Sequence, residues 1–170
     1  RFWQAGNAGT PVILVHGLNG SVEYWQQTMA ALAINHRVFA LDLLGFGQAD
    51  KPLLDYTMDY FADFLRDFAD ALQIKPFHLV GHSLGGGISL IFTGKYRAYV
   101  DKLSIVCGAG LSSKVPLLFR MMTLPWVGEV MATPTREGMK KGLKTITEQK
   151  HKITNTLIDT LSTYAASPGG

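Results

Sequence analysis

Hydrophobic positions along this chain follow one plan up to about residue 110 and another beyond it. Val12 to Val15 is a short, unbroken apolar run, as expected for a strand covered on both faces of a parallel sheet. Val38 to Leu41, Phe77 to Val80 and Val100 to Val106 repeat it, and Phe2 to Ala5 looks like the end of another strand before a turn at Asn7 to Pro11. Helical spacing fills the gaps. Trp25, Met29, Leu32 and Ala33 predict a helix over Val22 to Ile34 with Ser21 as its N-cap. From Asp59 onward, Tyr60, Phe61, Phe64, Leu65, Phe68, Ala69 and Leu72 interleave with Asp63, Arg66, Asp67 and Asp70 in an amphipathic helix. Ile88, Leu90, Ile91 and Phe92, behind Gly85-Gly86-Gly87, predict a helix packed closely on the strand before it. Strands alternating with helices across short glycine-bearing turns predict an α/β fold, a three-layer sandwich with a mostly parallel sheet.

The pattern changes at Leu111. Residues 112–170 hold no good strand but several helical stretches, broken by Pro116, Pro125, Gly128 and Pro134, so the chain divides into a 1–111 core and a 112–170 helical cap or lid. Thr135 is an N-cap for a helix with Met139, Leu143 and Ile146 on one face and Lys140, Lys141 and Lys144 beside them. A further helix starts near Thr154, with Leu157, Ile158, Leu161 and Tyr164 inward. The apolar residues Leu117, Leu118, Met121, Met122, Leu124, Trp126, Val127 and Met131 either line a pocket for a hydrophobic small molecule or pack the cap on the core. Both uses stay open.

Composition narrows the function classes. With 47% hydrophobic and 17% charged residues, the chain has the make-up of a globular domain with a sizeable core. No stretch approaches the roughly 18 uncharged apolar residues a membrane span needs. Cys107 is the single cysteine, so no intramolecular disulfide forms; it reads as a small apolar residue closing a buried strand, and a cytoplasmic location is the expectation. Charge is uneven: residues 1–111 carry 8 Lys and Arg against 9 Asp and Glu, a net of −1, whereas 112–170 carry 8 against 4, a net of +4. That basic segment is a solvated helix face or an attachment to a membrane surface, and it lacks the interleaved aromatics of a nucleic-acid binder. No histidine pair has metal-ligand spacing, and neither Gly45-Phe46-Gly47 nor Gly85-Gly86-Gly87 has a dinucleotide register, so neither metal nor cofactor is expected. Oligomeric state leaves no mark.

The chemistry concentrates at Gly81-His82-Ser83-Leu84-Gly85. This is the G-x-S-x-G arrangement, in which a serine on a tight strand-to-helix turn projects its hydroxyl above the sheet edge and glycines relieve the crowding. Ser83 is the expected nucleophile, although a serine hydroxyl needs a nearby base to become one. The backbone N–H of Leu84 is one expected oxyanion donor. Of the five histidines, His16 and His82 read as hydrogen-bonded structural groups and His36 and His78 as strand-start residues. His151, the only one after Ser83, lies in a lysine-rich stretch that suits a base poorly. Asp42, at a strand end, reads as the tie for its following loop, Asp101 as a residue preceding a strand, and Asp159 as part of the cap.

Val15-His16-Gly17 after one strand, Leu41-Asp42-Leu43-Leu44-Gly45-Phe46-Gly47 with Asp50-Lys51-Pro52 after the next, and Gly81-His82-Ser83-Leu84-Gly85-Gly86 after the third occur in an order that resembles the α/β-hydrolase fold superfamily. The likeness is to its cap-bearing branch of esterases, lactonases, carbon–carbon bond hydrolases and haloperoxidase-like enzymes. It implies a serine hydrolase acting on an ester, thioester, lactone or activated carbon–carbon bond through an acyl-enzyme on Ser83. It also places the second oxyanion donor at the N–H of Leu18, and if the cap lines a pocket over Ser83 rather than packing on the core, Leu117, Met121, Met122 and Trp126 are the candidate substrate contacts. In the family the acid and the histidine of the triad follow the cap. They are therefore expected beyond Gly170, with the first strand of the fold missing as well, and the 170-residue piece alone is expected to be inactive. A non-catalytic ligand-binding member and a membrane-surface member are the alternatives.

Overall fold

A computed structural model of the chain describes residues 1–111, 135–146 and 153–166. Contacts separate the chain into two compact units, one built on Arg1–Leu111 and the other on Ser112–Pro168. The first is a five-stranded sheet of β1 (Phe2–Ala5), β2 (Pro11–Val15), β3 (Arg37–Leu41), β4 (Phe77–His82) and β5 (Val100–Val106). Its order is β1-β3-β2-β4-β5, parallel except for β1, which pairs antiparallel with β3. Three helices belong to this unit: α1 (Gln26–Leu32), α2 (Met58–Ala71) and α3 (Leu84–Lys95).

The unbroken apolar runs have a direct cause in this layering. Successive residues of a strand face opposite sides, and both sides are covered. Ile13, Val15, Phe39, Leu41 and Leu79 pack with Phe61 and Leu65 of α2 and Ile88 and Phe92 of α3. Their neighbours Val12, Leu14, Val38 and Ala40 pack on the other side with Val22, Trp25 and Met29. Fully burying each of Phe61, Phe77 and Phe92 contributes about 2 kcal/mol. Thr57 caps α2 by accepting the Tyr60 N–H on its side chain, so the helix begins at Met58, one residue ahead of the predicted Asp59.

Several sequence expectations are corrected here. The Val22 to Ile34 helix is a 3-10 turn, Val22–Trp25, followed by the shorter α1. Ser21 makes no side-chain cap; the buried Asp42 takes its place, accepting the Val22 N–H at 2.8 Å from another loop. Strand β4 continues two residues past Val80, through Gly81 and His82, so the turn at Ser83 begins directly on the strand. Asp101 lies inside β5 rather than before it, and Cys107 is exposed with φ of 50°, not the end of a buried strand. Among the described residues β5 pairs with β4, and its residues Asp101, Lys102, Ser104 and Val106 are exposed.

In the second unit, α4 (Arg136–Ile146) follows Thr135, the cap the sequence predicts, and α5 (Asn155–Ala165) follows Thr154, near which the sequence predicts a helix start. Thr135 Oγ1 accepts the Gly138 N–H at 3.0 Å and Thr154 Oγ1 the Leu157 N–H at 3.1 Å. Leu143, Ile158 and Leu161 are buried in this unit, and Arg136 pairs with Asp159 at 2.6 Å. Among the described residues no helix is long and apolar enough to cross a membrane, and no group of three acidic, histidine or cysteine side chains is arranged for a metal.

Candidate active site

Strand order alone marks where a site belongs. From β2 the chain passes by α1 to β3 on one side, and from β3 it returns by α2 to β4 on the other. The loops leaving the carboxyl ends of β2 and β4 therefore run to opposite faces of the sheet, α1 to one and α3 to the other. A crevice opens between such loops, and ligands of parallel sheets bind there. In this chain the two loops are His16-Gly17-Leu18-Asn19-Gly20 and His82-Ser83-Leu84.

Ser83 stands at the head of α3 with φ 52° and ψ −114°, a conformation a non-glycine residue holds only where its surroundings impose it. Those surroundings are explicit. Its N–H donates to the Val106 carbonyl at 2.9 Å, and its carbonyl accepts from Ala109 at 2.8 Å, Gly86 at 3.0 Å and Gly87 at 3.2 Å. The flanking glycines are sterically required: a Cβ on Gly81 would lie 2.3 Å from the Gly85 carbonyl oxygen, and one on Gly85 2.4 Å from that of Val15. A Cβ on Gly17 would sit 3.0 Å from the Ser83 Cβ, so the β2 loop lies directly against the serine.

The other predicted residues take definite places. Leu84 is the first residue of α3, whose first N–H groups have no partner inside the helix. Leu18 is exposed on the β2 loop, next to Asn19 at φ 54°. Among the described residues neither the Leu18 nor the Leu84 N–H meets an acceptor, and no side chain bonds the Ser83 hydroxyl. His151 and the apolar candidates Leu117, Leu118, Met121, Met122, Leu124, Trp126, Val127 and Met131 lie outside the described residues.

Three of the four described histidines, His16, His36 and His78, have partners of their own. His16 is fully buried, donates from Nδ1 to the Gly17 carbonyl at 2.7 Å and accepts the Leu43 N–H on Nε2 at 3.0 Å. Burial holds its pKa below the usual imidazole value, against the pull of Asp42 and Glu23. His82, half-buried, is lowered by the same desolvation. His36 bonds the Thr10 carbonyl at 3.1 Å, and His78 lies 3.3 Å from Asp101 at the opposite end of the strands. Asp42 ties loops as expected, with Oδ2 accepting the Gln48 N–H at 2.9 Å and Oδ1 the Val22 N–H. The β5 exit is the part sequence reasoning missed: Cys107-Gly108-Ala109-Gly110 is legible as a turn, yet nothing in it announces that its backbone clamps Ser83.

Comparison with known proteins agrees with this geometry. The profile of the alpha/beta hydrolase fold family matches residues 10–139. An uncharacterised protein of Mycobacterium tuberculosis is 37% identical over 132 residues, 78% of this chain and 39% of the relative. The 2-hydroxy-6-oxo-6-(2'-aminophenyl)hexa-2,4-dienoic acid hydrolase of Metapseudomonas resinovorans is 33% identical over 169 residues, 97% of this chain and 56% of that protein. Among solved structures, the meta-cleavage product hydrolase of Pseudomonas fluorescens IP01 superposes with a TM-score of 0.82 at 29% identity, covering 99% of this chain and 60% of that one. The chain thus spans about two fifths to three fifths of the length of these relatives. With a family profile over most of its length and the strand order and serine turn already described, the chain belongs to the alpha/beta hydrolase fold family.

Proposed function

We propose that this chain carries the nucleophile and the oxyanion donors of a serine hydrolase, with Ser83 forming an acyl-enzyme. The observation that carries the reading is the strained Ser83 at the head of α3, its backbone clamped by Val106 and Ala109 while its hydroxyl stays unengaged among the described residues. Ser83 Oγ attacks the substrate carbonyl carbon and gives its proton to a histidine outside the described residues. The Leu18 and Leu84 N–H groups receive the oxyanion, an effect of a few kcal/mol per donor because fixed dipoles need no reorganisation. Collapse expels the leaving group with that proton, and water then releases the acyl group by the same steps reversed.

Ester, thioester, lactone and activated carbon–carbon bonds all suit this machinery. The relative named for a 2-hydroxy-6-oxo dienoic acid favours the last, because hydrolysis at a 6-oxo carbon breaks a carbon–carbon bond. Leu117, Met121, Met122 and Trp126 supply the apolar contacts to a hydrophobic small molecule in this reading, with residues 112–170 as the cap. The test, on the protein carrying this chain, is covalent labelling by a serine-directed fluorophosphonate, located by peptide mass, alongside hydrolysis of aryl esters and 2-hydroxy-6-oxo dienoates. The adduct is expected on Ser83, with turnover falling at least about 10³-fold in Ser83→Ala. An adduct elsewhere, or full turnover in Ser83→Ala, overturns the proposal.

A further inference from the structure

Hydrogen bonding between β4 and β5 continues one step past His82 and Val106, their last paired residues. In a parallel ladder a residue's N–H bonds the carbonyl of the residue before its partner, and its carbonyl accepts the N–H of the residue after that partner. Ser83 comes opposite Cys107 in this register, so regular pairing would give it the Val106 carbonyl and the Gly108 N–H. The first bond is present at 2.9 Å. The second is displaced by one residue, because the Ser83 carbonyl accepts from the Ala109 N–H at 2.8 Å. Cys107 and Gly108 thus stand together against Ser83 alone, which makes the β5 exit a β-bulge.

The bulge fits the serine it faces. At φ 52° and ψ −114° Ser83 has left the strand conformation, so its N–H and C=O no longer match a regular partner, and the extra residue on β5 takes up the offset. That residue is Cys107, at φ 50°, a left-handed position that glycine holds without strain and other residues hold only where their bonds impose it. Gly108 beside it answers a different need: a Cβ there would lie 2.4 Å from Ile105 Cγ2, and one on Gly86 would lie 2.7 Å from the Gly108 Cα. The bulge is therefore pressed against the first turn of α3. The Cys107 side chain itself is exposed, so the position acts through its backbone. We infer that Cys107 is a positioning residue for the reaction proposed above, on whose reading of Ser83 this rests: its left-handed backbone forms the bulge that holds the Ser83 turn, and its thiol takes no part.

Substitutions that differ in their tolerance of a left-handed backbone separate this role from others. Glycine adopts it freely and alanine about as well as cysteine, whereas a β-branched valine is an outlier there. In the protein carrying this chain, Cys107→Gly and Cys107→Ala are expected to keep kcat and the rate of phosphonate labelling within about twofold of wild type. Cys107→Val is expected to lower both by about tenfold or more with KM within about twofold, since a misplacement near 1 Å can cost about 100-fold. A merely structural turn would lower the Tm of Cys107→Val and leave its rates unchanged, and a working thiol would show as lost activity in Cys107→Ala. Either result overturns the inference. A second readout needs neither catalysis nor the valine variant: amide exchange in wild type should find the Ser83 and Ala109 N–H groups protected. Protection at Gly108 in place of Ala109 means an unbulged ladder and overturns it too. If wild type neither reacts with the phosphonate nor turns over, the hydrolase reading fails, and Cys107 is then judged by exchange alone, which at the Ser83 N–H must quicken in Cys107→Val and not in Cys107→Gly.

Discussion

Two glycine-to-alanine changes in one helix should act in opposite directions. Gly85 and Gly94 both lie in α3, and alanine at either gains helix propensity, up to about 1 kcal/mol inside a helix and less near its end. At exposed Gly94 a Cβ would have no neighbouring heavy atom within 4 Å, so Gly94→Ala should stabilise by about 0.5 kcal/mol. At buried Gly85 the new Cβ would stand 2.4 Å from the Val15 oxygen and 2.5 Å from that of His16. Ordinary contact needs about 1 Å more, and both oxygens belong to backbone at the buried end of β2, which has little room to retreat. Overpacking of that kind costs about 3 kcal/mol, leaving a net loss of about 2 kcal/mol after the propensity gain. The variants should therefore differ by about 2.5 kcal/mol in urea unfolding of the protein carrying this chain. Function adds a second readout, because relief by moving α3 shifts the Ser83 turn against the Gly17 loop, and a shift near 1 Å can slow chemistry about 100-fold. Phosphonate labelling should slow accordingly in Gly85→Ala and stay unchanged in Gly94→Ala. Equal stability and equal labelling in the two variants would refute the steric reading of the turn.

Asp42→Ala would leave the buried N–H of Val22 and that of Gln48 without their acceptor, a loss of about 2 to 4 kcal/mol measurable by denaturant titration; a loss below about 1 kcal/mol would mean that other acceptors replace the carboxylate. Stability should also fall in mild acid. Burial lowers the pKa of His16 and of His82 from 6.5, so the unfolded chain binds more protons below that pH. Their contribution is complete above about pH 6.5 and is lost as the pH falls through the folded values, with a slope of up to about 1.4 kcal/mol per pH unit for each group. Urea midpoints at pH 7.5 and 5.5 measure this, and an unchanged midpoint counts against buried neutral histidines.

How much was legible beforehand depended on the range of the interaction involved. The strands and helices of the first unit, the cap at Thr135, the helix start near Thr154 and the serine turn could be read from residues close together in sequence, because apolar periodicity and capping act over a few positions. Failures came where a distant group replaced a local one. Ser21 has the right chemistry for a cap, yet Asp42 reaches the Val22 N–H from 20 positions away. Cys107 follows an apolar run and reads as its last residue, but the strand stops at Val106 and Cys107 turns off it with φ of 50°.

The sequence by itself determined the fold class and the place of the Ser83 turn, since strand, glycine-relieved turn and helix are written consecutively from Phe77 to Phe92. Tertiary structure alone decided what holds that turn and its partner loop in place. Val106 and Ala109 on the Ser83 backbone, and the Leu43 N–H on His16, are pairings across strands that meet only when the sheet forms. Hydrogen bonds of that kind depend on angles and tenths of an ångström between segments far apart in the chain, and local residue patterns carry no record of such distances.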